Sequence, residues 1–152
     1  MTDPIEKLRE YGYELPAPKA PVASYVPVAR TGNLLYVSGQ LSSNDQGVVT
    51  GLLGDTMNVQ QGGNAAELCA VNILAQVVHM AGVPLHEVKR VVKLTVLVAS
   101  VPEFFEHHLV ANGASNLLVG VLGDKGKHAR AAFGVAALPF GAAVEIEAVI
   151  EV

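Results

Sequence analysis

The sequence contains few of the residues that define several common classes of protein. Of its 152 residues one is a cysteine and none is a tryptophan, while phenylalanine and tyrosine occur four times each. A single cysteine, Cys69, excludes an internal disulfide, and its position in a helical pattern predicts a buried, unreactive thiol. The scattered aromatic residues do not form the stacking platform that binders of single-stranded nucleic acid use.

Charged side chains are also scarce. Lysine, arginine, aspartate and glutamate make up 16 % of the chain against 51 % hydrophobic residues, and the formal net charge is −4. Because cations are not in excess to neutralise phosphates, the composition argues against nucleic acid as a partner. So apolar a composition predicts instead that other copies of the chain cover part of the surface in a homo-oligomer.

Long hydrophobic runs are absent as well. Polar residues or glycine interrupt the apolar stretches before they reach the length needed to cross a bilayer, so we expect no transmembrane helix and no membrane partner. The first four residues lack the basic and then apolar order of a signal peptide. The sequence therefore predicts a cytoplasmic protein, and its length predicts one domain with its own core.

The periodicity of the hydrophobic residues predicts an α+β chain. Asp3 starts a short helix, and the prolines at 16, 18 and 21 predict an extended N-terminal arm over residues 1–23, before a domain of residues 24–152. The glycine-rich run from 51 to 63 predicts a loop and no nucleotide site, since it lacks phosphate-binding spacing. The order of elements predicts one sheet with two helices on one face. The predicted strands cover residues 24–30, 34–38, 48–50 and 91–99, and the predicted helices cover 61–81 and a stretch that starts at a Ser100–Glu103 capping box and kinks near Gly113.

The stretch from His128 to Val152 carries the clearest pattern. Alternation of apolar residues from Val144 onwards predicts a strand with one buried face, and the break at Leu138–Gly141 predicts a turn after a preceding strand. We therefore expect a hairpin-like pair, with Arg130 near the start of the first strand and Glu145 near the start of the second. A guanidinium in a neutral strand costs desolvation energy unless it meets an anion.

The residues alone leave two interpretations of Arg130 and Glu145. They form a structural ion pair at a subunit interface, or Arg130 binds a ligand carboxylate with its planar fork while Glu145 handles protons or a water. Metal or covalent chemistry has less support. The adjacent His107 and His108 point about 100° apart on a helix, and no zinc, GxSxG or activated-cysteine motif is present. We expect no metal site and no covalent catalysis.

A set of short sequences, taken together, resembles the RidA (YjgF) family of enamine and imine deaminases. The set comprises Tyr25, Ser38-Gly39-Gln40 after an LLYV strand, Asn112, the HARAAFGVAALP segment and the terminal VEIEA strand. The resemblance implies a chorismate-mutase-like α+β fold, in which a single mixed sheet carries two long helices on one face. It also implies a homotrimer with ligand clefts between subunits, and neither a metal nor an organic cofactor.

The resemblance further implies a reaction and a set of site residues. The better-understood members hydrolyse reactive enamines and imines, such as 2-aminoacrylate released by pyridoxal-phosphate enzymes, to 2-keto acids and ammonia. By position, Arg130 would bind the substrate carboxylate and Glu145 would position water or pass protons. The predicted cleft is further lined by Tyr25, Ser38, Gly39, Asn112 and Ala132.

Two positions depart from the family pattern. The cysteine expected two residues after the arginine is Ala132, and the tyrosine expected three residues after the asparagine is Ser115. These differences indicate a divergent subgroup and leave two other functions open. One is a non-catalytic trimer that binds a keto acid or another small metabolite. The other is the ribonuclease or translation-inhibitor activity attached to some relatives, against which the acidic balance argues.

Overall fold

A computed structural model describes residues 2–17 and 23–152, and in this part of the chain the hydrophobic patterns form three α-helices and seven strands. None of these helices is long and apolar enough to cross a membrane. The elements in chain order are α1 (Pro4–Glu10), β1 (Val28–Thr31), β2 (Leu34–Leu41), β3 (Ser43–Asn44), β4 (Gly47–Val48), α2 (Val59–His79), β5 (Arg90–Ala99), α3 (His107–Leu122), β6 (Ala129–Val135) and β7 (Val144–Glu151).

Five strands form one mixed sheet in the order β1-β2-β7-β5-β6, and β3 and β4 form a separate small hairpin. Neighbours in the large sheet are antiparallel except β5 and β6, which run parallel. The alternate residues of β7 that face the helices are all buried, which explains its central place between β2 and β5. Both long helices cover this face. The predicted α+β class, with a mixed sheet and helices, is confirmed.

The hairpin predicted for the end of the chain is wrong. Strands β6 and β7 are not neighbours, because β5 lies between them. Helix α3 supplies the crossover that a parallel pair requires, so β5, α3 and β6 form a β-α-β unit. The break at Leu138–Gly141 is therefore part of a longer connection past the end of β5, where the backbone N–H of Ala99 donates to the carbonyl of Ala143.

The second long helix begins later than the sequence predicted. Ser100 does not cap it, because its backbone N–H donates to the carbonyl of Val135 and its hydroxyl lies 3.1 Å from Nε2 of His107. Helix α3 starts at His107 and runs as one helix through Gly113, where a kink was predicted. The serine is held by the end of the sheet, and the helix begins only after the chain has turned.

Helix α2 begins earlier than predicted, so that Gly62 and Gly63 are helical and not part of a loop. Asn58 and Gln61 start the helix with a reciprocal capping box, in which each side chain accepts from the backbone N–H of the other. Where α3 crosses α2, a Cβ placed on Gly113 would overlap the backbone of Gly63. The two helices are therefore closer than side chains at this crossing would permit.

The N-terminal helix forms as predicted and packs on the domain. The Asp3 side chain accepts from the backbone N–H two residues on, as an N-cap does. Leu8 is 1 % exposed, and Tyr11 covers Gly120 of α3 so closely that a Cβ there would overlap the tyrosine ring. Residues 18–22 of the predicted extended arm lie outside the described residues, and the boundary between arm and domain stays a prediction.

The face of the sheet away from the helices is open. Glu145, Glu147 and Val149 of β7 point to this face, as the alternation predicted. Tyr36 and Phe133 also point there and are 48 % and 46 % exposed. The apolar composition predicts that other copies of the chain cover part of the surface, and coverage of this face stays a prediction.

Gly113→Ala should lower the free energy of unfolding by about 1–3 kcal/mol, because the added methyl group would force α2 and α3 apart. Gly63→Ala is the matched control. Nothing lies within 4 Å of a Cβ at that position, so removing a helical glycine should raise the free energy of unfolding by about 0.5–1 kcal/mol. Urea unfolding at one protein concentration measures both. Effects of the same sign would contradict the close crossing at Gly113.

Candidate functional site

Arg130 lies near the start of the edge strand β6 and reaches the first turns of α3. In the register of the sheet it is beside the buried Leu94, so its side chain is on the helix-covered face. Its Nη1 donates to Asn112 Oδ1 (2.9 Å) and to Ser115 Oγ (3.1 Å), and its Nη2 donates to the carbonyl oxygen of His108 (3.3 Å). The structure thus brings Arg130 and Asn112, both predicted site residues, into direct contact.

The guanidinium of Arg130 keeps its charge without a counter-ion. Its three acceptors are neutral oxygens, and no carboxylate within residues 2–17 and 23–152 forms an ion pair with it. A guanidinium has five N–H donors, of which three are used here. The other two are the Nε–H and one Nη2–H, on nitrogens that share one edge of the guanidinium plane. Such an edge binds both oxygens of a carboxylate.

Glu145 lies on the opposite face of the sheet, beside a bulge in β2. The register between β2 and β7 shifts between Val37 and Gln40, so that Ser38 and Gly39 stand outside the regular ladder. Gly39 packs so closely on Glu145 that a Cβ at residue 39 would overlap the carboxylate. A glycine is therefore required there for the carboxylate to keep its position.

The bulge also holds the segment that precedes β1. Ser38 Oγ donates to the carbonyl of Val26 (2.8 Å), and its backbone N–H donates to the carbonyl of Pro27 (2.9 Å). These bonds hold Val26, and with it the neighbouring Tyr25, beside the bulge. Tyr25 is 57 % exposed. We term Tyr25, Ser38, Gly39 and Glu145 the glutamate half-site.

The second cluster, which we term the arginine half-site, consists of Asn112, Ser115, Arg130 and Ala132. Ala132 lies two residues beyond Arg130 and on the same side of β6, where its small side chain is half-buried against the core. No hydrogen bond or ion pair joins the two half-sites in the described part of the chain, because they lie on opposite faces with β5 between their strands. An Arg130–Glu145 ion pair within one chain is therefore excluded. A pair between subunits stays a prediction.

Burial raises the pKa of Glu145 above its ordinary value, and the negative charge of Glu147 raises it further. A carboxyl group with a raised pKa keeps its proton closer to neutral pH, which is the property that acid–base catalysis requires. The same carboxylate affects Cys69, because burial and then the charge of Glu145 raise the pKa of that thiol. Cys69 is fully buried and its Sγ lies 3.4 Å from the carbonyl oxygen of Val144, which confirms the predicted core thiol.

Ser115 and His128 were not predicted as site residues. His128 Nε2 lies 2.8 Å from Ser115 Oγ, and its Nδ1 lies 2.6 Å from the carbonyl oxygen of Gly126. The sequence does carry a signal for Ser115, since residues three apart share a helix face and Asn112 was identified. His128 lies in a predicted loop, and no pattern in the sequence indicates how that loop folds back onto α3.

The adjacent histidines at the start of α3 serve separate purposes. The ring of His107 packs edge-on against Phe104, and His108 contributes its carbonyl oxygen to Arg130. No group of three or more metal-ligating side chains occurs among the residues that the structure describes. The expectation of neither metal nor cofactor stays a prediction.

Known proteins match this chain over most of its length. A family model described as endoribonuclease L-PSP matches residues 16–152. Protein TCP17 of Trypanosoma cruzi is 49 % identical over 146 residues, which cover 95 % of this chain and 91 % of TCP17.

Two solved structures have nearly the same fold. Protein Atu1372 of Agrobacterium tumefaciens, whose function is described as unknown, is 54 % identical with a TM-score of 0.91, over 98 % of this chain and 92 % of that one. A protein of Shewanella oneidensis, described as a candidate endoribonuclease, is 27 % identical with a TM-score of 0.93, over 99 % of this chain and 100 % of that one. The shared fold therefore extends over the segments of this chain that carry both half-sites.

Glu145→Gln should weaken the pH dependence of stability. Because the pKa of Glu145 is raised in the folded protein, the folded state binds this proton more tightly than the unfolded chain. The wild-type free energy of unfolding therefore loses a contribution as pH rises above the ordinary carboxyl pKa, and glutamine has no such loss. Urea unfolding between about pH 4 and pH 7 measures the difference. Glu103→Gln, at an exposed residue, should follow the wild type, and a parallel Glu145→Gln curve would contradict the raised pKa.

Proposed function

The chain belongs to the endoribonuclease L-PSP family, the family that its sequence resembles under the name RidA (YjgF), and we propose that it hydrolyses small reactive enamines and imines that carry a carboxylate. The products are a 2-keto acid and ammonia. The observation that carries this proposal is the charge of Arg130, which meets only neutral oxygens within the described chain.

In this proposal Arg130 binds the substrate carboxylate. Asn112 and Ser115 take up the two Nη1 hydrogens, which leaves the edge formed by Nε and Nη2 for the two carboxylate oxygens. A lysine ammonium would provide the charge but not the planar fork.

The reaction then requires one water molecule and the transfer of protons. Protonation of the enamine carbon gives an iminium ion, the conjugate acid of the imine, and water adds to its electrophilic carbon. The C–N bond then breaks, ammonia leaves and the C=O of the keto acid forms. Because an imine carbon is already electrophilic, holding it next to water supplies most of the rate. Glu145, whose pKa is raised, is the group proposed to give and receive the protons.

Both half-sites reach one substrate only where two copies of the chain meet. We therefore propose a homotrimer in which the arginine half-site of one copy faces the glutamate half-site of the next. The half-exposed Tyr36 and Phe133 on the open sheet face support such contacts, since aromatic side chains gain from being covered. A cyclic trimer would contain three equivalent clefts.

Binding without catalysis is the second candidate function. It is favoured by Ala132 and Ser115, which stand where the family pattern has a cysteine and a tyrosine. Calorimetry would then give tight binding of 2-ketobutyrate, with no turnover of any imine. Ribonuclease activity has the description of the family in its favour and the net charge of −4 against it. RNA cleavage by repurified Arg130→Ala protein would support that activity.

Arg130→Ala should reduce the release of ammonia and keto acid from freshly generated 2-aminoacrylate by about 100-fold or more, because the carboxylate is no longer held. Arg130→Lys should lose at least about tenfold, since a point charge does not reproduce the fork. Arg9→Ala is the control, because Arg9 is exposed on α1 and pairs only with Glu14 among the described residues. Equal rates for wild type and Arg130→Ala would reject the proposal.

Arg130→Ala and Glu145→Gln chains should restore activity to each other when they are co-expressed. In randomly mixed cyclic trimers about three quarters contain both chains, and one cleft in three of those has an intact arginine and glutamate. Ammonia release should therefore recover to about one quarter of the wild-type rate. Each variant expressed alone is the control. Hybrid trimers, verified by mass spectrometry, that remain inactive would contradict a cleft shared between copies.

A further inference from the structure

A chain of three hydrogen bonds leads from Arg130 away from the edge that faces a carboxylate. Arg130 Nη1 is 3.1 Å from Ser115 Oγ, and Ser115 Oγ is 2.8 Å from His128 Nε2. His128 Nδ1 is 2.6 Å from the carbonyl oxygen of Gly126. Arg130 lies in β6, Ser115 lies in α3, and Gly126 and His128 lie in the segment that connects α3 to β6. The hydrogen bonds therefore join the strand, the helix and the connection between them.

Two of the three bonds in this chain have a fixed direction, and they determine the direction of the third when the His128 ring is neutral. The carbonyl oxygen of Gly126 only accepts, so His128 must carry a proton on Nδ1. The guanidinium only donates, so Ser115 Oγ accepts from Arg130. The hydroxyl hydrogen of Ser115 is then free for Nε2, which accepts in a neutral ring whose proton is on Nδ1. One tautomer of neutral His128 therefore satisfies all three bonds, and the other does not.

The ends of the chain have little freedom to move. A Cβ on Gly126 would overlap the backbone of Leu118 in α3, so the turn that supplies the carbonyl is packed against that helix. Asn112 and Ser115 lie on one face of α3 and together take both hydrogens of Arg130 Nη1. With both hydrogens bound, the guanidinium plane is fixed as well as its position.

We propose that Ser115 and His128 are positioning residues for Arg130: they hold its plane so that the edge with Nε and Nη2 stays directed at a substrate carboxylate. The inference rests on the proposed function and extends it by giving Ser115 and His128 a role that involves no contact with the substrate. It also accounts for the serine at position 115, because its Oγ lies within hydrogen-bond distance of both Arg130 Nη1 and His128 Nε2. Breaking these hydrogen bonds should weaken the binding of planar carboxylates and leave the rate of the chemical step unchanged.

Two pairs of variants separate the hydrogen bonds from the shape of the residues. Ser115→Ala removes the hydroxyl and Ser115→Thr keeps it. His128→Asn keeps a donor for Gly126 but does not reach Ser115, whereas the longer His128→Gln places an acceptor near the former Nε2. Ser115→Ala and His128→Asn should raise Kd for 2-ketobutyrate, and KM for 2-aminoacrylate, by about tenfold with kcat within about twofold. Ser115→Thr and His128→Gln should stay within about threefold of wild type.

A spectroscopic readout needs no ligand and no activity. In nitrogen-15 NMR spectra, the neutral His128 ring, identified by its loss in His128→Gln, should carry its proton on Nδ1. Its Nε2 signal should move in Ser115→Ala, and the signals of the other histidines should not. A neutral ring protonated on Nε2 would overturn the inference even if Ser115→Ala failed to fold.

The outcomes also distinguish this inference from the proposed function. If wild type binds 2-ketobutyrate, Arg130→Ala does not, and Ser115→Ala and His128→Asn bind as wild type does, only the positioning roles are wrong. If Arg130→Ala also binds 2-ketobutyrate and turns over 2-aminoacrylate as wild type does, Arg130 does not hold the substrate carboxylate, and the proposed function as argued here and the inference both fail. A raised KM restricted to Ser115→Ala and His128→Asn, together with the Nδ1-protonated ring, supports both.

Discussion

The arrangement of this protein depends on a positive charge that its own chain does not neutralise. Arg130 loses part of its hydration at the edge of the sheet, and three neutral oxygens from α3 replace part of what water supplied. Those oxygens all belong to α3, whose position against α2 is set in part by the close approach of Gly113 to Gly63. A glycine contact in the helix layer and a charge at the sheet edge are therefore parts of one arrangement.

The order of the strands decides where the acid lies relative to that charge. With β5 between β6 and β7, Arg130 and Glu145 are two strands apart, and the alternation of each strand places them on opposite faces. The bulge at Ser38 and Gly39 then brings backbone against the Glu145 carboxylate without a side chain in between. The single chain thus contains a cation prepared for an anion and, elsewhere, a carboxyl with a raised pKa.

The sequence predicted correctly those elements that are determined by residues close together along the chain. The cap at Asp3 and the alternation of β5 and β7 are local, and these elements formed as expected. The parallel pairing of β6 was not predictable, because its pattern is the same in a hairpin and its partner lies beyond a whole helix. The capping box predicted at Ser100 does not form, for a related reason. The backbone N–H of Ser100 donates to the carbonyl oxygen of Val135, which is distant in sequence. The resemblance identified Arg130 and Asn112, but only the register separated the half-sites, and only the folded turn brought His128 to Ser115.

The placement of the half-sites on opposite faces has a consequence for the protein in dilute solution. On the proposed function, a lone subunit would be inert, since neither face holds a complete set of groups. Turnover per molecule would then increase with protein concentration until association saturates, and it would disappear on dilution. Abundance, as much as chemistry, would set the level of reactive intermediate that the protein can remove.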